Sequence, residues 1–74
     1  MKALDILTPR QRAVATLMAL GLHTREIAER LGTSQKTIDS HRLIVLRKLR
    51  ARNAAELARI SIRDGWTSMH DEAA

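Results

Sequence analysis

Residues 32–50, GTSQKTIDSHRLIVLRKLR, constrain this chain more than any other stretch, because they demand a helix whose two faces need different surroundings. Gly32 can end a preceding helix, since a residue without Cβ enters the left-handed region cheaply. Ser34 can cap the next helix by offering its hydroxyl to an unpaired backbone N–H of the first turn. At about 100° per residue, Ile38, Arg42, Val45 and Leu49 then share one side, with His41 at its margin. The opposite side carries Lys36, Ser40, Leu43, Arg47 and Arg50, with Asp39 beside them. The first side needs a core. The second is basic, and its shape suits the major groove of DNA, where phosphates flank the reading surface.

The rest of the chain supplies the core that this helix requires. Thr8-Pro9-Arg10-Gln11 is a helix start: Thr8 caps, Pro9 occupies the first position where its missing N–H costs nothing, and Gln11 reaches back to the cap. Val14, Leu17 and Met18 follow as one apolar stripe, with Ala13 and Leu20 at its edges and Gly21 as the stop. A short helix over residues 23–31 is expected next, with Thr24 as its cap, Ile27, Ala28 and Leu31 inward, and Glu26, Glu29 and Arg30 in water. A short helix, a Gly-containing turn and a longer basic helix form the helix-turn-helix pattern. Asn53 followed by Glu56 starts a fourth helix that runs to about Asp64, with Gly65 as its stop. Leu57 and Ile60 fit the domain's own core, whereas Ala55, Ala58 and Ile62 lie on another face. That second face fits either a symmetric partner helix or a surface of good helix formers. Trp66 either extends this face or covers the end of the core. The expectation is an all-α domain of four helices over residues 8–65, with a lead-in at 1–7 and a flexible tail at 66–74. Leu4 and Leu7 of the lead-in can fold back on the core.

Composition removes several function classes. A chain of 74 residues makes one small domain, which buries only about 60% of its unfolded surface and is therefore marginal unless a partner adds area. There is no Cys, so disulfides and thiolate metal sites are excluded. His23, His41 and His70 are too widely spaced for a ligand pair on one helix, and no cofactor is expected. The net charge is +5, and Lys36, Arg42, Arg47, Lys48, Arg50 and Arg52 crowd one window that holds Asp39 as its single acid. Such a patch attracts a polyanion or makes a solvated helix face; charge alone does not decide. Trp66 is the sole aromatic residue, which argues against modules that stack single-stranded bases on aromatic rings. No apolar run approaches the ~20 residues of a membrane span, and the N-terminus lacks a secretory signal pattern, so a cytoplasmic chain without membrane contact is expected. With no Gly-rich phosphate loop, no Ser/His/Asp constellation and little chain to enclose a substrate, an enzyme is not expected.

Several motifs together carry a more specific signal. Leu7-Thr8-Pro9-Arg10-Gln11-Arg12, Gly21-Leu22, Glu26-Ile27-Ala28, Leu31, Ser34, Lys36-Thr37-Ile38, His41, Lys48-Leu49 and Glu56-Leu57 resemble the LuxR-type (NarL/FixJ, GerE-like) DNA-binding domain. The resemblance extends over roughly residues 6–64. It implies a four-helix domain whose third helix, about residues 35–50, reads the major groove and whose fourth pairs with its twin. Carried over by position, it implies that Lys36 and Thr37 contact phosphates, that Asp39, Ser40 and Leu43 face bases, and that Lys48 helps hold the DNA backbone. Arg47 and Arg50 join this set from the basic face, and Ala55, Ala58 and Ile62 form the expected dimer surface. His41 is expected to pack and hydrogen-bond near the core rather than to act as a titrating switch.

The departures from that family are informative. Asp39 is acidic where many relatives are basic or neutral, so it would accept from cytosine N4 or hold a neighbouring Arg. Leu43 and Ile44 are apolar where polar residues are common. Leu43 would touch a thymine methyl, or the two would mark a protein-contacting surface. Gln11 replaces the usual Glu and should still cap. Family members usually carry a receiver or ligand-binding domain in front of this one; the start at Met1 favours a stand-alone regulator over an excised fragment. Two functions remain: a dimeric, sequence-specific regulator bound to double-stranded DNA, or a small interaction module that pairs with a full-length regulator or RNA polymerase. Operator, sign of regulation, inducing signal and regulated genes are not legible.

Overall fold

The computed structural model of the chain describes residues 2–66. Within them a short 3₁₀ helix, Ala3–Ile6, precedes four α-helices: α1 Pro9–Ala19, α2 Thr24–Leu31, α3 Gln35–Lys48 and α4 Ala54–Asp64. There is no strand among the described residues. Of the tail expected over 66–74, Trp66 is described and buried, so it belongs with the domain, and residues 67–74 lie outside the described residues.

α1 is the central element, packing on α3 and α4, while α2 packs mainly on α3. Its start follows the local chemistry read from the sequence. Gln11 N–H donates to Thr8 Oγ1 at 3.2 Å, and Thr8 N–H donates to Gln11 Oε1 at 3.1 Å. Val14, Ala15 and Met18 of α1 meet Ile27 and Ala28 of α2, Ile38 and Val45 of α3, and Leu57 of α4 in one core. Leu17 and Leu31 are only partly buried at its edge. Ala28 lets α2 lie close to its neighbour, as the helix-turn-helix crossing requires.

Both flanks of the expected domain join this core. Leu7 is buried and Leu4 packs against it. The N–H of Ala3 donates to Asp64 Oδ2 at 2.9 Å, which ties the lead-in to the end of α4. Trp66 is buried and covers the end of the core, which settles the two alternatives posed for it. Ser61, a polar residue absent from the expected core, is fully buried because its hydroxyl donates to the Ala58 carbonyl at 2.6 Å within α4.

All four helices stop in the same way. After each, one residue enters the left-handed region and the next N–H returns to a carbonyl five residues back: Leu22 to Leu17, Thr33 to Ala28, Ala51 to Leu46 and Trp66 to Ser61, at 2.8–3.1 Å. Three of the left-handed residues are glycines. The fourth is Arg50, with φ +56°. α3 therefore ends at Lys48 rather than at Arg50, and Arg50 lies in the turn. The sequence hid this stop because an Arg occupies the position that usually signals it with Gly.

Two further expectations are corrected. His23, not Thr24, precedes the first residue of α2, and its N–H donates to Glu26 Oε1 at 2.9 Å. Thr24 is the first helical residue, which frees its hydroxyl for α3. His41 is half-buried as expected, but its Nδ1 is buried without a partner among the described residues, so the hydrogen-bonding role does not hold for that atom.

Candidate nucleic-acid interface

The outward face of α3 begins at a well-capped end. Thr37 N–H donates to Ser34 Oγ at 3.1 Å, and the Ser34 hydroxyl donates to Thr37 Oγ1 at 2.9 Å. Thr37 Oγ1 thus accepts from inside the protein, and its own hydrogen remains free to donate outward. Lys36 beside it is exposed and makes no side-chain bond within the described residues. An unengaged ammonium, a free hydroxyl hydrogen and unpaired N–H groups of the first turn together suit a phosphate.

Further along, Ser40 donates to the Lys36 carbonyl at 3.3 Å, which leaves its oxygen lone pairs facing out. Leu43 is 52% exposed and Ile44 is 38% exposed. Burying such side chains against a thymine methyl or another apolar group stabilises by roughly 25 cal/mol per Å². Arg47 is exposed and unpaired within the described residues, and Arg50 likewise offers an uncommitted guanidinium from the turn after α3.

The remaining polar residues of the region are engaged. Lys48 Nζ donates to Gln11 Oε1 at 2.9 Å and to the Ile6 carbonyl at 3.4 Å, bracing the end of α3 against α1 and the lead-in. Arg52 pairs with Glu56 at 2.8 Å, and Glu56 also accepts the Arg52 N–H at 2.7 Å. These contacts hold the Glu56 carboxyl below its ordinary range. Asn53 caps α4 as expected, accepting the Glu56 N–H at 2.9 Å. The carboxylate of Glu56, however, turns to Arg52 instead of completing the box with Asn53. Asp39 accepts from the Thr24 hydroxyl, and Arg42 donates to the same oxygen. Among the described residues, the cationic groups left uncommitted on this face are Lys36, Arg47 and Arg50. Lys36 lies at one end, and the two arginines lie at the other.

A second face belongs to α4. Ala55 and Ile62 are exposed and Ala58 is half-exposed; Ile62, at 71%, is the most exposed large apolar residue described. Among the described residues no group of three or more His, Cys, Asp or Glu side chains could hold a metal ion, and no helix is long and apolar enough to cross a membrane.

Comparison with known proteins identifies the family of the chain. Residues 5–61 match the bacterial regulatory proteins of the luxR family. The chain is 38% identical over 68 residues to nodulation protein W of Bradyrhizobium diazoefficiens, covering 92% of this chain and 30% of that protein. It is 47% identical over 62 residues to the transcriptional regulatory protein UhpA of Escherichia coli, covering 84% of this chain and 31% of that one. It is 50% identical over 48 residues to the C4-dicarboxylate transport transcriptional regulatory protein DctR of Rhodobacter capsulatus, covering 65% and 24%. The chain thus spans under a third of the length of these relatives. With four helices, a helix-turn-helix and a match across most of its length, the chain belongs to the luxR family of bacterial regulatory proteins, a family of DNA-binding transcription regulators.

Proposed function

We propose that this domain binds double-stranded DNA sequence-specifically and regulates transcription, with α3 in the major groove. The observation that carries the reading is the exposed face of α3. Lys36 at one end and Arg47 and Arg50 at the other are cations without partners among the described residues, and between them lie Ser40 and Leu43, a pair able to accept a hydrogen bond and to cover a methyl group. Lys36 and Thr37 meet phosphates at the N-terminal end, and Arg47 and Arg50 meet them at the other. Asp39, Ser40 and Leu43 read bases. Lys48 contributes first as an internal brace, because its ammonium already has two acceptors.

Two copies pair through Ala55, Ala58 and Ile62 of α4, so two α3 helices enter successive major grooves about one helical turn apart on an inverted repeat. Ala-rich helix pairs bury little area, so pairing is completed on DNA rather than before it. Affinity rests on phosphate contacts and falls steeply with salt.

A second reading draws on the same apolar surface. Exposed Ile62, Leu43 and Ile44 also suit a small module that binds a full-length regulator or RNA polymerase. Selection of bound duplexes from a random library at roughly physiological salt separates the two. An enriched inverted repeat supports the dimeric regulator, and a single enriched half-site keeps the regulator but removes the pairing. Weak binding without enrichment sinks the DNA reading and favours the interaction module.

A further inference from the structure

The hydroxyl of Thr24 lies where α2 meets α3, and it is used twice. Arg42 Nη1 donates to Thr24 Oγ1 at 2.7 Å, and Thr24 Oγ1 donates to Asp39 Oδ1 at 3.1 Å. The direction is fixed by chemistry: a guanidinium only donates, an ionised carboxylate only accepts, and a hydroxyl can do one of each. The Arg42 charge polarises the hydroxyl and strengthens the bond it passes on. Asp39 and Arg42 are three residues apart on α3, close enough for a direct pair, yet none forms. Thr24 stands between them.

We infer that Thr24 and Arg42 are positioning residues for base recognition, holding the Asp39 carboxylate so that Oδ2 accepts a hydrogen bond from the exocyclic amine of a cytosine. The inference rests on the reading of α3 as the DNA-reading helix. Asp39 is exposed, and only Oδ1 is engaged. In the major groove a cytosine presents its N4 amine with no acceptor beside it on the same base. Adenine sets N7 next to its amine, which repels a carboxylate, while guanine and thymine present acceptors and a methyl group. A carboxylate facing phosphates also needs a nearby cation. Arg42 supplies that charge through Thr24 without occupying Oδ2. Were the hydroxyl missing, Asp39 and Arg42 would lose their shared partner, and the carboxylate would swing freely or close on the guanidinium.

The test compares duplexes selected from a random library by the wild type, Asp39→Ala, Thr24→Val, Thr24→Ser and Asp39→Ala/Thr24→Val. The wild type should select a cytosine at one position of each half-site. Asp39→Ala and Thr24→Val should both relax that position, by roughly fivefold or more, and leave the other positions unchanged. Thr24→Ser should retain the preference, and Thr24→Val should add nothing once Asp39 is Ala. Should the valine variant not melt cooperatively, Thr24→Ala gives the same readout with a better helix former. If Asp39→Ala relaxes the position but Thr24→Val and Thr24→Ala do not, the positioning role is wrong while DNA reading stands. If those Thr24 variants instead weaken all sequences evenly, Thr24 is merely structural and the inference is again overturned. A wild type that selects no sequence removes the DNA reading itself, and this inference with it.

Discussion

Replacing Arg50 with glycine would separate two consequences of a single residue. At φ +56° an L side chain crowds its own backbone, at a cost of about 1–2 kcal/mol. Glycine removes that crowding but gives the unfolded chain more freedom to lose, a penalty of about 0.5–1 kcal/mol. The expected net gain lies in the range of about 0–1.5 kcal/mol, with a midpoint of ~0.75 kcal/mol. No hydrogen bond or ion pair offsets it, because the Arg50 side chain makes none among the described residues. In a domain of this size each kcal/mol moves the melting midpoint by about 4–8 °C, so Arg50→Gly should melt roughly 3–6 °C higher. On the proposed DNA-binding reading the same change deletes a phosphate-facing cation, so binding should weaken on every sequence and the slope of log K against log salt should drop by about 0.9. Arg50→Ala is the control: it removes the charge and keeps the crowding. The assay is thermal melting followed by the fluorescence of Trp66, the single aromatic residue, together with duplex titrations at several salt concentrations. Equal melting of the glycine and alanine variants would refute the strain argument. An unchanged salt slope would show that Arg50 meets no phosphate.

Three more outcomes are expected. Ile38 is fully buried, so Ile38→Ala should cost about 2–5 kcal/mol. That is a large part of the ~4–11 kcal/mol a chain of this length can hold, and urea titration should show a largely unfolded population at 37 °C. The Ala3 N–H holds the Asp64 carboxyl below the usual carboxylate range, with burial opposing and Arg63 and Lys2 assisting. A depressed value means stability is present above the unfolded-state value and is lost as pH falls through the folded one. Wild type should therefore lose more stability below about pH 4 than Asp64→Asn does, and equal acid limbs in pH-dependent melts would count against the tether. Ile62→Asp should leave folding and half-site binding intact while abolishing cooperative binding to an inverted repeat in mobility-shift assays; retained cooperativity would exclude α4 as the pairing surface.

What the sequence revealed and what it concealed divide by the reach of the interaction. The Thr8/Gln11 box, the Ser34 and Asn53 caps and the inward stripes on α1 and α3 depend on residues three or four apart, so spacing alone discloses them. The end of α3 is not legible in the sequence because its stop carries Arg50, a residue that reports charge rather than backbone conformation. The cap of α2 is ambiguous in the sequence because His23 and Thr24 are adjacent candidates, and the partners that engage the Thr24 hydroxyl, Asp39 and Arg42, lie 15 and 18 residues away. The resemblance gave both Lys36 and Lys48 a place against the DNA backbone. The difference is that Gln11 lies 37 residues from Lys48 and already holds its ammonium. Burial of Ser61 was invisible for another reason: its hydroxyl is satisfied within its own helix, so it behaves as a small apolar residue.

The bond from Ala3 to Asp64 joins residues 61 apart in sequence, and Lys48 brings the end of α3 to Ile6 in the same neighbourhood. The described chain is therefore a nearly closed circuit whose first and last described residues lie at one corner. A polypeptide attached before residue 2 or after residue 66 would leave from there, beside the C-terminal ends of α3 and α4. Lys36 and Thr37 lie at the opposite end of α3 from this corner. On the proposed reading, a domain appended there would crowd the α4 end of the molecule and leave the N-terminal end of α3 open.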